Sequence, residues 1–308
     1  MASRRWAIIL AAGDGERVRR LTMDGRGRPL PKQYWAPGDA GPMLRWAFDR
    51  AKRLTRPAHI VTVVAAHHRE WWGDLVPGSM IPGMMVQPAN RGTGAGILLP
   101  LLRVLRKSRD AVVVVLPADQ YVADESTLAS SLARAVSVVE RGRRVVVLGM
   151  APQGPDPDYG WIVGGEAEED GTRPIVSFVE KPTPRMAREL YRSGASVSSF
   201  IVVARGRALL ALFQTAAPAL LASLARVTEE REPGAVPDRA ALERAYEALP
   251  HVDFSRDVLQ GSAAHLRVLA VPPCGWVDLG TPERLERWIR SRGEGDAGQH
   301  AVLHKTTA

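Results

Sequence analysis

Apolar runs and amphipathic stretches alternate along the first half of the chain. Residues 6–10 and 111–116 are apolar at every position, the pattern of strands covered on both faces, and the segments between them repeat hydrophobic positions at helical spacing. The pattern predicts strands at 4–10, 58–65, 111–116 and 143–149, separated by helices near 41–54, 93–107 and 125–141. Such alternation builds an α/β fold with a doubly wound, mostly parallel sheet in an α/β/α sandwich. After residue 151 the order is less regular. Strands are expected at 160–165, 174–180, 196–204 and 265–271, and helices near 184–193, 206–226 and 238–249. A closing amphipathic helix runs over 281–292, with Thr281 as N-cap and Pro282 at its first position.

These elements divide the chain into one domain, 1–292, with a first half of about 1–150, a second half of about 151–292 and a flexible tail at 293–308; the motifs below make the first the candidate nucleotide-binding half and the second the candidate sugar-phosphate half. Residues 229–237 read as a charged, proline-bearing surface loop. The loop from Ala11 to Ala40 is long and glycine-rich for a compact domain, and loops of that length are usually functional. No hexapeptide repeat suggests an appended β-helix.

The chemistry starts in that loop. Gly13 and Gly15 follow the first strand directly, where a backbone freed from Cβ constraints can turn successive N–H groups onto phosphate oxygens. Arg17 and Lys32 would neutralise those phosphates. Val18, Arg19 and Arg20 stand where a Walker loop needs Gly-Lys-Ser/Thr, and Val18 also replaces the third glycine of a dinucleotide fingerprint, so both are excluded.

The segments Leu10-Ala11-Ala12-Gly13-Asp14-Gly15-Glu16-Arg17 and Pro31-Lys32-Gln33-Tyr34 together resemble the signature of the sugar-1-phosphate nucleotidyltransferases. The second is most like the mannose-1-phosphate guanylyltransferase branch. Gln87-Pro88-Ala89-Asn90-Arg91-Gly92-Thr93 resembles the family's base-recognition loop, and Leu116-Pro117-Ala118-Asp119 its Pro-Ala-Asp metal motif. Tyr159-Gly160-Trp161, Glu180-Lys181-Pro182, His251-Val252-Asp253-Phe254 and Trp276-Val277-Asp278-Leu279-Gly280 follow in the family's order, so the resemblance runs from about residue 4 to about 290.

The resemblance implies the glycosyltransferase-A-like type of sheet. It also implies transfer of a nucleotidyl group from a nucleoside triphosphate to a sugar 1-phosphate, with pyrophosphate leaving; GTP and mannose 1-phosphate are the leading pair. Alternatives are UTP, dTTP or another base, or a non-catalytic sugar-nucleotide sensor. Leu10, Ala11, Ala12, Gly13, Gly15, Glu16, Arg17, Lys32, Gln87, Asn90, Gly92, Thr93 and Asp119 are implied to bind the nucleotide. Tyr159, Gly160, Glu180, Lys181, Val197 and Asp253 are implied to bind the sugar phosphate. Arg17, Lys32, Asp119, Lys181 and Asp278 would form the catalytic set, with Asp119 and Asp278 sharing Mg²⁺ or Mn²⁺. The plainer alternative has Asp119 capping a turn and Asp278 capping the final helix. Val197-Ser198-Ser199 departs from the family's Asn-Ser-Gly, putting a sugar contact in doubt.

Charge changes the picture only by its placement. The net charge is +8, and residues 1–56 carry the whole excess, thirteen Lys and Arg against five Asp and Glu. That suits a polyanionic nucleotide, and no aromatic-basic or helix-turn-helix pattern points to nucleic acid. Only five cations are Lys against 36 Arg, yet Lys32 and Lys181 both fall in phosphate-type motifs, where a slim point charge fits. Cys274 is the single cysteine, which excludes an internal disulfide and suggests a reducing compartment. The apolar run after Arg4-Arg5 is short and followed by Asp14, Glu16 and Arg17, unlike an export signal, and no stretch approaches a membrane span. The expected location is cytoplasmic. A homodimer stays open, with Trp71 and Trp72 either interface anchors or half-buried packing residues.

Overall fold

The structure is a computed structural model and describes residues 4–37, 41–73, 83–142, 144–229 and 238–293. In chain order the first half holds β1 (Arg5–Ala11), α1 (Met43–Lys52), β2 (Ile60–Ala65), α2 (Arg69–Trp72), β3 (Met84–Gln87), α3 (Gly92–Lys107), β4 (Val112–Pro117), β5 (Gln120–Tyr121), α4 (Glu125–Arg141) and β6 (Val145–Met150). The second half holds β7 (Gly160–Gly164), β8 (Arg173–Glu180), α5 (Pro184–Arg192), β9 (Ser196–Arg205), α6 (Gly206–Ala216), α7 (Pro218–Glu229), α8 (Arg239–Ala248), β10 (Leu266–Ala270), β11 (Val277–Asp278) and α9 (Pro282–Gly293).

Nine strands form one sheet in the order β3-β2-β1-β4-β9-β6-β10-β8-β7. Their side chains alternate between two cores. Trp6, Ile8, Val113 and Val115 meet Leu98, Leu101, Leu209 and Phe213 of α3 and α6 on one face, whereas Ala7, Ile9, Val112 and Val114 meet Leu44, Phe48, Leu128 and Leu132 of α1 and α4 on the other. Helices on both faces explain why these strands lack polar alternation.

The expected α/β/α type therefore stands, with one refinement of the sheet. Pairing is parallel from β3 through β4 and again between β6 and β10, but β9 runs antiparallel to both β4 and β6, and β7 and β8 form an antiparallel pair. The sheet is mixed beyond β4.

The expected single helix at 206–226 is two helices. Ala217 leaves helical geometry at φ −141°, because a residue before proline is crowded out of the α region, and Pro218 then starts α7. Residues 254–265 form two helical turns that periodicity did not predict. The N-cap of α9 is as expected: Thr281 Oγ1 accepts from the Arg284 N–H at 3.3 Å. Residues 230–237 of the expected surface loop, and the tail beyond Gly293, lie outside the described residues.

Trp72 is buried and its Nε1 donates to the Ala65 carbonyl, while Trp71 is half-buried with the Arg19 guanidinium over its ring, so both pack within the chain. Among the described residues no helix is long and apolar enough to cross a membrane.

Candidate functional site

The carboxyl ends of β1 and β4 open into a cleft of about 330 Å³, the place where open α/β sheets bind ligands. Its floor is made by the turn after β1. Gly15 has φ 62°, a left-handed conformation, and a Cβ there would approach the Lys32 nitrogen at 3.2 Å. Gln33 fastens the turn, its Nε2 donating to the carbonyls of Ala11 and Gly13 at 2.9 Å each, and Tyr34 Oη donates to the Ala11 carbonyl. The Pro-Lys-Gln-Tyr segment is thus a clamp on the glycine turn as well as the source of Lys32.

The two carboxylates converge by a device too short to read from sequence. β5 and β11 are two residues each and pair antiparallel, with Asp278 opposite Gln120, which places Asp278 beside Asp119. Gln120 locks the ribbon by donating to the Ser199 carbonyl and accepting from Trp276 Nε1. Lys32, its side chain only 3% exposed, lies between the acids: Nζ is 3.1 Å from Asp119 Oδ2 and 3.5 Å from Asp278 Oδ1. Thr281 takes the helix cap, so Asp278 is not the cap of α9.

Arg284 closes the far side of Asp278. It is buried, stacks its guanidinium 4.3 Å over the Tyr159 ring, and brings Nη1 within 3.4 Å of Asp278 Oδ2 and 3.6 Å of Asp156 Oδ2. Burial alone would raise the Asp278 pKa, but Lys32 and then Arg284 outweigh it and hold the group below the ordinary carboxylate range. Nothing in the pattern of α9 distinguishes Arg284 from a surface cation, and the sequence reading missed it.

The second half supplies the opposite wall. Glu180 ends β8 opposite Gly160 of β7, and its carboxylate lies where a Cβ on Gly160 would be, 2.5 Å from Oε2. Burial, followed by the charge of Asp253, pushes Glu180 up to about 7. Lys181 next to it is exposed at φ 48°, and Phe200 on β9 has φ 61°. These are the positive-φ residues other than glycine among the described residues, and both line the cleft. Backbone strain of this kind clusters at functional sites. Arg17, exposed, spans the cleft to Asp158 at 3.4 Å.

The structure brings Leu10, Gly13, Gly15, Arg17, Lys32, Thr93, Asp119, Tyr159, Gly160, Glu180, Lys181, Asp253 and Asp278 to this one cleft. Other expected residues lie elsewhere. Gln87 sits at a buried position of β3, its amide donating to Tyr246 Oη at 2.8 Å, outside the lining of the cleft. Asn90 and Gly92 form a turn outside it, Asn90 Oδ1 accepting from the Gly92 N–H. Ala11, Ala12 and the exposed Glu16 also lie off the lining. Val197 also lies off the lining of this cleft. It is fully buried in the core, and its strand turns Ser198 and Phe200 toward the cleft instead. Alternation along β9 decides this, and the position of Val197 beside a larger cavity of about 480 Å³ behind Tyr159 and Trp276 follows from it. Ser198, Ser255 and Asp158, which sequence reasoning passed over, are cleft residues.

The sequence matches the nucleotidyl transferase family over residues 6–291. The chain belongs to that family. Among its relatives, the chain is 30% identical over 195 residues to a mannose-1-phosphate guanylyltransferase of Salmonella montevideo, covering 61% of this chain and 40% of that protein. It is 26% identical over 301 residues to the xanthan biosynthesis protein XanB of Xanthomonas campestris pv. campestris strain B100, covering 96% of this chain and 62% of the relative. The chain thus spans less than two thirds of the length of either relative. A crystal structure of a mannose-1-phosphate geranyltransferase from Thermus thermophilus superposes with a TM-score of 0.79 at 26% identity, over 94% of this chain and 79% of that one. The family membership agrees with the seven motifs and with the fold.

Proposed function

We propose that this protein transfers a nucleotidyl group from a nucleoside triphosphate to a sugar 1-phosphate, releasing pyrophosphate, and that GTP and mannose 1-phosphate are its preferred pair. One observation carries the reading: Asp119 and Asp278, from distant parts of the chain, meet at a single ammonium in the cleft that the glycine turn lines. The base and sugar rest on the names of the relatives and on the Pro-Lys-Gln-Tyr segment.

In this reading the residues act by placement. The Gly13–Gly15 backbone and Arg17 receive the triphosphate, Lys181 the sugar phosphate, and Glu180 accepts from sugar hydroxyls against the bare backbone of Gly160. Two anions that repel one another are thereby held for in-line attack, which is the main demand of phosphoryl-type transfer. Arg17 gives up Asp158 to phosphate, a stronger partner for a guanidinium.

The donor set of Asp119 and Asp278 fits a hard divalent cation, since both carboxylates face the cleft and share one cationic partner. Mg²⁺, or Mn²⁺ in its place, would be held there and would supply Lewis-acid charge to the reacting phosphates. The test is a panel of nucleoside triphosphates against sugar 1-phosphates with Mg²⁺, read by pyrophosphate release. Turnover with GTP and mannose 1-phosphate above all other pairs is expected. Preference for UTP or dTTP would overturn the guanylyl assignment, and ligand binding with no pyrophosphate from any pair would leave a sensor.

A further inference from the structure

A second cluster lies beside the cleft and takes no part in the chemistry above. β1 and β2 are parallel neighbours, with Leu10 opposite Val63 and Ala11 opposite Val64, so the segments that follow them emerge side by side. The glycine turn brings Asp14 to this point, and a short helical turn, Ala66–His68, brings two histidines. Asp14 Oδ1 is 2.6 Å from His67 Nε2 and 3.1 Å from His68 Nε2, and no two of the three ligand atoms are more than 4.8 Å apart.

The cluster is constructed rather than accidental in three respects. Asn90 Nδ2 donates to the other oxygen of Asp14 at 3.1 Å, which fixes the carboxylate and leaves Oδ1 for the imidazoles. The His68 side chain is only 2% exposed, and its orientation is set by edge contacts with Tyr34 and Trp71. Its Nδ1 has no hydrogen-bond partner among the described residues, so the polar atom this ring engages, Nε2, is aimed into the cluster.

We propose that Asp14, His67 and His68 form a second cation site, for a divalent ion of the zinc class, that clamps the glycine turn to the end of β2. Two imidazole nitrogens and one carboxylate oxygen make a borderline-soft donor set with room for a fourth ligand, suited to Zn²⁺ or Co²⁺ and poorly suited to Mg²⁺. The all-oxygen pair of Asp119 and Asp278 has the opposite preference, so the protein would sort two metals by chemistry. His67, half exposed, is the ligand free to swing inward by the distance that tetrahedral coordination requires. This proposal does not rest on the transferase reading.

The experiment uses the full chain without an affinity tag, stripped with chelator and titrated with Co²⁺ as a spectroscopic probe. One equivalent should bind with the intense visible bands of a tetrahedral site and be displaced by equimolar Zn²⁺. Asp278→Asn should leave the bands intact. His67→Gln should weaken Co²⁺ by at least tenfold, and Asn90→Ala, which touches no ion, by about tenfold to a hundredfold. His68→Gln is informative only if folded, so the melting temperature is measured in parallel: Zn²⁺ should raise it in the native chain and not in the His67→Gln variant. Absence of tetrahedral bands, or Co²⁺ affinity unchanged in His67→Gln, would overturn the proposal and leave three side chains joined by hydrogen bonds alone.

Discussion

Replacing Glu180 with Gln should stabilise the ligand-free protein in alkaline solution while impairing its handling of the sugar phosphate. Glu180 has its pKa raised from 4.5 to about 7, by burial first and by Asp253 second. A carboxyl group raised in the folded state holds its proton there at pH values where the unfolded chain has released it. Stability must therefore fall as pH rises from 4.5 to about 7. A shift of that size corresponds to about 3 kcal/mol once Glu180 is ionised. Glutamine, close in shape to the protonated acid, avoids that cost. Urea unfolding of both proteins at pH 5 and pH 8 is the assay. The curves should nearly coincide at pH 5, and the variant should be more stable by up to about 3 kcal/mol at pH 8. Its KM for the sugar phosphate should rise, and the rise should grow above pH 7, where the native carboxylate is charged. Equal stability differences at both pH values would refute the reasoning, because the buried carboxyl would then not be titrating near neutrality.

Other perturbations test other parts of the site. Lys32→Met leaves Asp119 and Asp278 facing each other and should cost roughly 1–3 kcal/mol; Mg²⁺ should raise its melting temperature more than that of the native protein, and an equal response would count against a shared site. Gly160→Ala puts a methyl group against Glu180 and the Phe178 ring, and should raise KM for the sugar phosphate by roughly tenfold to a hundredfold with little change in GTP binding, read by steady-state kinetics. Glu125→Ala strands Arg50, whose side chain is 1% exposed and holds Glu125 at 2.6 Å and 3.1 Å; urea unfolding should show a loss of about 3–5 kcal/mol.

What could be read from the sequence followed physical scale. The β1 turn and its glycines were legible because an unbroken apolar run followed by glycine has few other meanings, and α4 lies where its amphipathic repeat put it. The meeting of Asp119 with Asp278 could be inferred only through the family resemblance. The β5–β11 ribbon that brings them together is two residues on each side, below the length at which periodicity carries information. The side that Gln87 and Val197 present was illegible for a related reason: each stands in a strand where the choice of face turns on one residue of register, and a slip of one exchanges buried for exposed. The strained backbone of Phe200 in β9 makes that count harder still. Arg284 was invisible because its partners, Tyr159, Asp156 and Asp278, come from distant parts of the chain. The Asp14–His67–His68 group was hidden in the same way, although its histidines are adjacent.

The ammonium of Lys32 gives the protein an internal substitute for the ion it would recruit. Negative charge at Asp119 and Asp278 is already offset by Lys32 and, on Asp278, by Arg284, so an arriving cation would exchange with a side chain instead of discharging bare repulsion. Its net affinity would be the difference between two attractions. A cation held there would free Lys32 for the phosphates, so one side chain would serve the acids before the ligand binds and the ligand afterwards.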